Sequence, residues 1–291
     1  MQNVFNNFLN GFMANDFVYN VNQQGDGSNL NQLEFPKNNY THYQSDILDY
    51  GYDKDISYNL NSFGFRCDEF DSSLSNSNFL FSGCSTTFGL GIPQEKSWPY
   101  LLNSELKGNN FYNLSVPAMG IESIIFNINT YINNFGVPKA IFILFPNIGR
   151  SSSFVNNFGP ENLYLKTSFL NDDELNMGDV DFRTNLYRIA NTISLFENFC
   201  NARQIPLLWS SWHKSTIRVF NELNMFKNMF DISNMNKIDL MSEDVMDAAG
   251  DLNQKYITTA RDGKHPGVIE HAYYYKYFKE LYRDRYETSN S

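Results

Sequence analysis

Ser85 has the surroundings expected of a serine nucleophile. It follows Phe79-Leu80-Phe81-Ser82-Gly83-Cys84, a short apolar run that ends in small residues, and Gly89 and Gly91 come soon after it. A short apolar run bounded by glycine is typical of a buried parallel strand, and reactive groups in parallel sheets gather at the carboxyl ends of the strands. The alternative is a strand-to-helix turn whose Ser and Thr side chains cap the next helix. This stretch alone leaves both interpretations open.

A serine nucleophile needs a base within hydrogen-bond reach, and the chain has four histidines. His265 stands in the segment Arg261-Asp262-Gly263-Lys264-His265-Pro266-Gly267. Because Asp262 lies three residues ahead, across a glycine, its carboxylate can fold back onto the imidazole Nδ1 and leave Nε2 to accept a proton. The alternative is that Asp262 and His265 form an ordinary helix-entry turn.

The other three histidines have less support as a base. His42 lies in a polar, irregular segment, and we interpret it as a surface residue. His213 follows a predicted strand, which places it at the substrate edge of the sheet, but no carboxylate accompanies it. His271 falls inside the last predicted helix, and we interpret it as structural.

Strands and helices alternate along the chain and would position these residues. The predicted strands are 78–82, 111–116, 140–145 and 205–209, with a short fifth strand at 229–232. The predicted helices are 97–108, with Ser97 as its N-cap, 121–134, 181–203 and 268–285. This alternation predicts an α/β fold: a mostly parallel sheet of about five strands, covered by helices on both faces.

Two segments do not follow the alternation. Residues 1–58 are polar and lack periodicity, so we interpret them as an irregular N-terminal extension, and residues 59–291 as one domain. Residues 148 to about 180 are interpreted as an insertion over the strand ends that contributes to substrate selection.

Composition and charge exclude several classes of function. With 291 residues and 42% hydrophobic residues the chain can build a large core. Its formal net charge of -10 argues against nucleic acid and anionic membranes as partners. The three widely spaced cysteines define neither a disulfide framework nor a metal motif, and no metal or other cofactor is expected. The N-terminus lacks a basic n-region, and the longest apolar stretch, Ala140–Phe145, is far shorter than a membrane helix. We therefore expect a soluble, cytoplasmic protein.

Taken in order, these segments resemble the motifs of the SGNH/GDSL hydrolases, as found in bacteria and phages. The resembling segments are Asn61–Arg66 ahead of the first motif, Gly83-Cys84-Ser85 with Cys where Asp is usual, Asn113-Leu114-Ser115 followed by Gly120, Phe145-Pro146-Asn147-Ile148 where Gly-x-Asn-Asp is usual, and Asp262-Gly263-Lys264-His265-Pro266. The resemblance covers about residues 60–286. It implies the flavodoxin-like SGNH hydrolase fold, a three-layer α/β/α sandwich.

The resemblance also implies a role for each matching residue. Ser85 would attack an ester carbonyl, His265 would take its proton, and Asp262 would orient His265. The oxyanion would be held by the N–H groups of Ser85 and Gly120 and by the side-chain amide of Asn147, each such donor contributing about 10²–10³ in rate. Two further asparagines could replace Asn147 if the following loop folds back; these are Asn156 and Asn157. Cys84 would be a small buried residue without a reactive role.

The expected function is hydrolysis of small O-acyl esters, most simply O-acetyl groups on a carbohydrate. Tyr164 and Phe169 of the insertion would suit a sugar-binding rim. Two alternatives stay open: a non-catalytic glycan-binding or structural protein of a virion or polysaccharide locus, and a sugar O-acyltransferase that uses the same residues. Neither the ester nor the oligomeric state follows from the sequence.

Overall fold

The computed structural model of the protein describes residues 58–74, 76–117, 119–156, 163–169, 180–231, 260 and 265–287. The strands are β1 (Phe79–Gly83), β2 (Tyr112–Asn113), β3 (Ala140–Phe145), β4 (Arg150–Asn156), β5 (Leu163–Phe169) and β6 (Leu207–Ser211). The α-helices are α1 (Ser85–Phe88), α2 (Trp98–Glu105), α3 (Ile121–Phe135), α4 (Val180–Ala202), α5 (Lys214–Leu223) and α6 (Val268–Tyr282). Short 3₁₀ turns span Ser72–Leu74 and Gln94–Lys96, and a π turn spans Arg283–Glu287.

Four of the strands form a parallel sheet in the order β2-β1-β3-β6. When these four strands are numbered 1 to 4 along the chain, their order in the sheet is 2-1-3-4, which is how the flavodoxin-like sheet begins. The parallel α/β fold is therefore confirmed. The predicted fifth strand is reduced, in the part of the chain that the structure describes, to one parallel bridge between Trp209 and Met229.

Helices cover both faces of this sheet. Phe79 and Phe81 of β1 point towards α2 and α6, because their rings meet Tyr282 at 5.8 Å and Trp98 at 5.7 Å. Side chains alternate along a strand, so Leu80 points to the opposite face, where α3 packs against β1. An ion pair of 2.8 Å between Glu122 and Arg188 joins α3 to α4. This three-layer arrangement is the one predicted.

The predicted insertion at 148–180 contains an antiparallel hairpin of β4 and β5, which begins five residues after the last residue of β3. The start of α2 has the predicted N-cap residue but an unexpected hydrogen-bond acceptor. Ser97 is the N-cap residue, but its Oγ donates to Gln94 O at 2.6 Å, and no side-chain cap forms. The first N–H of the helix, that of Trp98, is instead bound by Nδ1 of His271 at 3.1 Å. The prediction of Ser97 as the N-cap residue is confirmed, but α6 and not the Ser97 side chain supplies the acceptor for the first N–H.

Among the described residues, no helix is both long and apolar enough to cross a bilayer.

Candidate active site

Three polar residues follow three neighbouring parallel strands at the same distance. Ser85, Asn147 and His213 each stand two positions after the last residue of their strand, respectively β1, β3 and β6. Gly83 pairs with Leu144 and Phe145 pairs with Ser211, so these strand ends share one edge of the sheet. In a 2-1-3-4 order the ligand crevice lies between β1 and β3, where the strand order reverses. Ser85 and Asn147 therefore flank that crevice.

Ser85 is the first residue of α1 and is only 6% exposed. The N-cap of this short helix is Cys84, which makes no side-chain cap, so the alternative of Ser85 as a helix cap was wrong. The Ser85 hydroxyl donates weakly to Cys84 Sγ at 3.9 Å. The helix ends at Gly89, whose φ of 76° is left-handed and is adopted at little cost only by glycine.

Cys84 is fully buried and receives a hydrogen bond from a tryptophan. Trp212 Nε1 donates to Cys84 Sγ at 3.3 Å, which joins the end of β6 to the residue before Ser85. The interpretation of Cys84 as a small buried residue is confirmed. The preceding residue must be glycine, since a Cβ on Gly83 would lie 2.7 Å from the carbonyl oxygen of Leu144 in the next strand.

Arg66 fastens the loop that follows Ser85. Its guanidinium is buried and donates to three backbone carbonyls, those of Phe88 at 3.1 Å, Gly89 at 2.7 Å and Ile92 at 3.1 Å. It also lies 4.5 Å from the centre of the Tyr58 ring. Burial lowers the pKa of Arg66 to about 10, so it stays charged at neutral pH.

Replacing Arg66 by methionine is expected to lower the free energy of unfolding by about 3 kcal/mol or more, because hydrogen bonds to charged groups contribute about 1.5–3 kcal/mol each. Urea unfolding measures this change. The control is Arg203→Met, which removes an exposed arginine that lies over the Phe199 ring and should cost much less. Equal losses in the two variants would show that Arg66 does not fasten this loop.

Asn147 lies at the end of β3 and is held at both ends of its amide. Its Oδ1 accepts the N–H of Gly149 at 2.7 Å, and its Nδ2 lies 3.3 Å from Nε2 of His213. His213 is the residue that the sequence placed at the sheet edge without an accompanying carboxylate, and this asparagine is one of its partners. Of the two possible substitutes, Asn156 is the last residue of β4 and Asn157 lies outside the described residues.

Gly120 is buried and immediately precedes α3, with φ of -87° and ψ of 168°. It sits at the start of the helix that follows β2, where a backbone N–H is not used within the helix itself. Asn113, the last residue of β2, donates from Nδ2 to Thr87 O at 3.0 Å. The second resembling segment therefore contacts the helix that begins with Ser85.

His265 is half-buried and lies three residues before α6. Its carbonyl accepts the N–H of Ala260 at 2.8 Å. In the helix that it precedes, burial raises the pKa of the Tyr274 phenol, and the nearby Glu270 and Cys84 raise it further. Asp262 lies outside the described residues, so its pairing with His265 stays a prediction.

His271 is structural, as predicted. It is 1% exposed, and Nδ1 accepts the N–H of Trp98, which requires a neutral ring. Burial, followed by the charges of Arg66 and His265, lowers the pKa of His271 from 6.5 to about 3.

The lowered pKa of His271 makes stability depend on pH in a known direction. Because the unfolded chain binds this proton more tightly, the stability that neutral His271 contributes is complete above pH 6.5 and is lost as the pH falls towards 3. The free energy of unfolding falls by up to ~1.4 kcal/mol per pH unit in this range. His271→Asn keeps an acceptor near the position of Nδ1 without the titration. We expect its unfolding free energy to fall less steeply than that of the wild type between these values. If the unfolding free energies of the two proteins, measured in urea, depend equally on pH, this expectation is contradicted.

Glu270 has the opposite effect on stability, because burial raises the pKa of that carboxyl to about 7. Wild type and His271→Asn both contain Glu270, so its effect cancels when the two are compared. A raised carboxyl pKa stabilises the fold at low pH, and this contribution is lost as the pH rises from 4.5 to 7.

No role was assigned from the sequence to two residues of this site, Arg66 and Trp212. Arg66 had a weak signal, since it ends the resembling segment Asn61–Arg66 and stands between the apolar residues Phe65 and Cys67. Trp212 had none, because its contact with Cys84 spans 128 positions. Within the described part of the chain, no group of three or more His, Cys, Asp or Glu side chains could hold a metal ion.

No protein-family model matches the chain, and no curated protein matches it in sequence. Among solved structures it is similar to a protein from Desulfitobacterium hafniense DCB-2 assigned to the lipolytic G-D-S-L family, with 13% identity, a TM-score of 0.40, and coverage of 70% of this chain and 99% of that one. It is also similar to a member of the lipolytic G-D-S-L family from Veillonella parvula DSM 2008, with 11% identity, a TM-score of 0.37, and coverage of 72% and 98%. Likenesses of this size do not identify the reacting residues, so the function must be judged from the site of this chain.

Proposed function

We propose that the protein is a serine esterase in which Ser85 is the nucleophile. The observation that carries this proposal is the placement of Ser85 and Asn147 after adjacent parallel strands, on either side of the crevice where the strand order reverses. A hydroxyl and an amide donor would then face the same space, as acyl transfer requires.

The proposed reaction has two steps. Ser85 Oγ attacks the ester carbonyl while its proton passes to His265 Nε2, and the C–O bond to the alcohol breaks as His265 returns that proton to the leaving oxygen. Water then attacks the acyl-enzyme with His265 again as base, which releases the carboxylic acid and restores the serine. Asp262 would orient His265 throughout.

The negative charge that develops on the carbonyl oxygen needs fixed donors. The N–H groups of Ser85 and Gly120 and the Nδ2–H of Asn147 are proposed for this role. The Ser85 and Gly120 N–H groups stand at the starts of helices and are held by backbone structure, and the Asn147 amide is held by its contacts with Gly149 and His213 before substrate arrives.

For the substrate we propose a small acyl ester, most simply an O-acetyl group on a carbohydrate. Ser85 is almost buried, and the fully buried Cys84 stands beside it, which favours a small acyl group over a long chain. The β4–β5 hairpin begins three residues after Asn147 and carries Tyr164 and Phe169, which would supply aromatic surface for a sugar.

The test is hydrolysis of p-nitrophenyl acetate, butyrate and octanoate by the purified full chain, followed by acetate release from O-acetylated xylan oligosaccharides. We expect the acetate ester to give the highest kcat/KM. A folded protein that hydrolyses none of these esters would contradict the proposal and favour a binding role. Adding an acceptor sugar and analysing the products would separate acyl transfer from hydrolysis.

A further inference from the structure

His213 has a polar partner at each ring nitrogen. Nε2 lies 3.3 Å from Nδ2 of Asn147, and Nδ1 lies 3.3 Å from Oγ1 of Thr216. The residue is itself fixed: its backbone N–H donates to Ser211 Oγ at 3.1 Å, and its carbonyl accepts the N–H of Ile217 in the first turn of α5. Because the position of this imidazole is fixed, it can fix the side chains to which its ring nitrogens bond.

The hydrogen-bond partners decide which ring nitrogen carries the proton. Gly149 N–H requires an oxygen opposite it, which fixes Oδ1 of Asn147 there and turns the NH₂ group towards His213. Nε2 must then accept, so the neutral ring carries its proton on Nδ1 and donates to Thr216 Oγ1. That oxygen has two lone pairs, and the second accepts the N–H of Ile148 at 2.9 Å.

We propose that His213 is a positioning residue for Asn147, and the proposal rests on the esterase function proposed above. By accepting one N–H of the Asn147 amide, His213 fixes the plane of that amide and aims its second N–H at the oxyanion. The neighbouring Trp212 contacts Cys84, so the dipeptide after β6 supports both sides of the crevice.

This support is useful because of what precedes Asn147. Pro146 lacks a backbone N–H, so the turn after β3 has one donor fewer than usual with which to fix itself. The side-chain bonds to Gly149 and His213 hold the amide in its place.

The expected effect follows from the value of an oxyanion donor. Loss of such a donor costs about 10²–10³ in kcat, and a displacement of about 1 Å can cost 10². His213→Ala should therefore lower kcat by about 10- to 100-fold with little change in KM, since the oxyanion forms only in the transition state.

The test is a double-mutant cycle on hydrolysis of p-nitrophenyl acetate, with His213→Ala, Asn147→Ala and the combined variant. If His213 acts through Asn147, the combined variant is no slower than Asn147→Ala alone. His213→Gln, whose Oε1 can accept the same N–H, should recover most of the lost turnover. If His213→Ala slows the Asn147→Ala enzyme by the same factor as the wild type, or if Gln and Ala are equally slow, the proposal is overturned.

The outcomes separate this inference from the esterase proposal. An inactive wild type that also resists a fluorophosphonate probe overturns both, since no oxyanion then forms. An active wild type whose His213→Ala variant keeps its kcat overturns only the role of His213. Thermal unfolding of each variant identifies a loss of turnover that comes from misfolding.

Discussion

Replacing Ser85 by alanine is expected to lower kcat for ester hydrolysis by about 10⁴-fold or more, because removal of the nucleophile of a serine hydrolase costs as much as removal of the whole triad. The fold should survive, since among the described residues the Ser85 hydroxyl makes only a long contact, with Cys84 Sγ at 3.9 Å. The measurement is kcat and KM with p-nitrophenyl acetate, with thermal unfolding alongside.

Ser82→Ala is a matched control for this variant. Ser82 is a fully buried serine three positions earlier in β1, and its Oγ has no hydrogen-bond partner among the residues that the structure describes. Removing an unpartnered polar group is close to neutral or stabilising, so this variant should keep wild-type turnover. If both variants lose activity equally, the turn after β1 that contains Ser85 has only a structural role. If neither loses activity, Ser85 is not the nucleophile.

Replacing His265 by alanine is the second large effect. We expect kcat to fall by about 10⁴-fold or more, since loss of the base costs nearly as much as loss of the serine. Labelling of Ser85 by a fluorophosphonate should slow as well, because the hydroxyl then has no group to take its proton. Asp262→Asn should lower kcat by a smaller factor, because it disturbs only the orientation of the imidazole.

Two other histidines serve as controls for this experiment. His271→Asn should keep most of its turnover at neutral pH, because this ring supports the packing of α2 against α6. His213→Ala should show the intermediate loss expected of a positioning residue. A His265→Ala variant that keeps its activity while His213→Ala loses nearly all of it would exchange the two roles and make His213 the base.

The fold was predictable where apolar runs and periodicity were unambiguous. β3 was predicted to the residue, since Ala140–Phe145 are all apolar and all buried. β6 begins two residues later than predicted, at Leu207. The cause is local: the N–H of Ile205 bonds to Cys200 O at 2.9 Å and closes the preceding helix, and Pro206 has no N–H to donate.

The edge strand shows a second limit. The apolar pattern predicted a strand over 111–116, but β2 spans only Tyr112–Asn113. The N–H of Leu114 still bonds to Phe81 O at 2.8 Å, but Asn113 Oδ1 accepts both the N–H of Ser115 at 3.2 Å and its hydroxyl at 2.6 Å, so a side chain replaces backbone pairing from Ser115 onwards. Short polar side chains compete with regular backbone pairing in this way, and spacing along the sequence does not reveal it.

The candidate site was predictable for residues that follow their own strand, such as Ser85 and Asn147. It was not predictable for residues that act across the chain. The pairing of His213 with Asn147 depends on the register that sets Phe145 opposite Ser211, and Arg66 reaches carbonyls 22 to 26 positions away. A single sequence gives the chemistry of such residues but not their partners.

The most direct test of the central claim is covalent labelling of the wild-type chain with a fluorophosphonate probe, read by intact mass and peptide mapping. The nucleophilic role of Ser85 predicts one probe per chain, attached to the peptide that contains Ser85, and no labelling of Ser85→Ala. A folded wild-type protein that stays unlabelled, or a label on another residue that persists in Ser85→Ala, would contradict it.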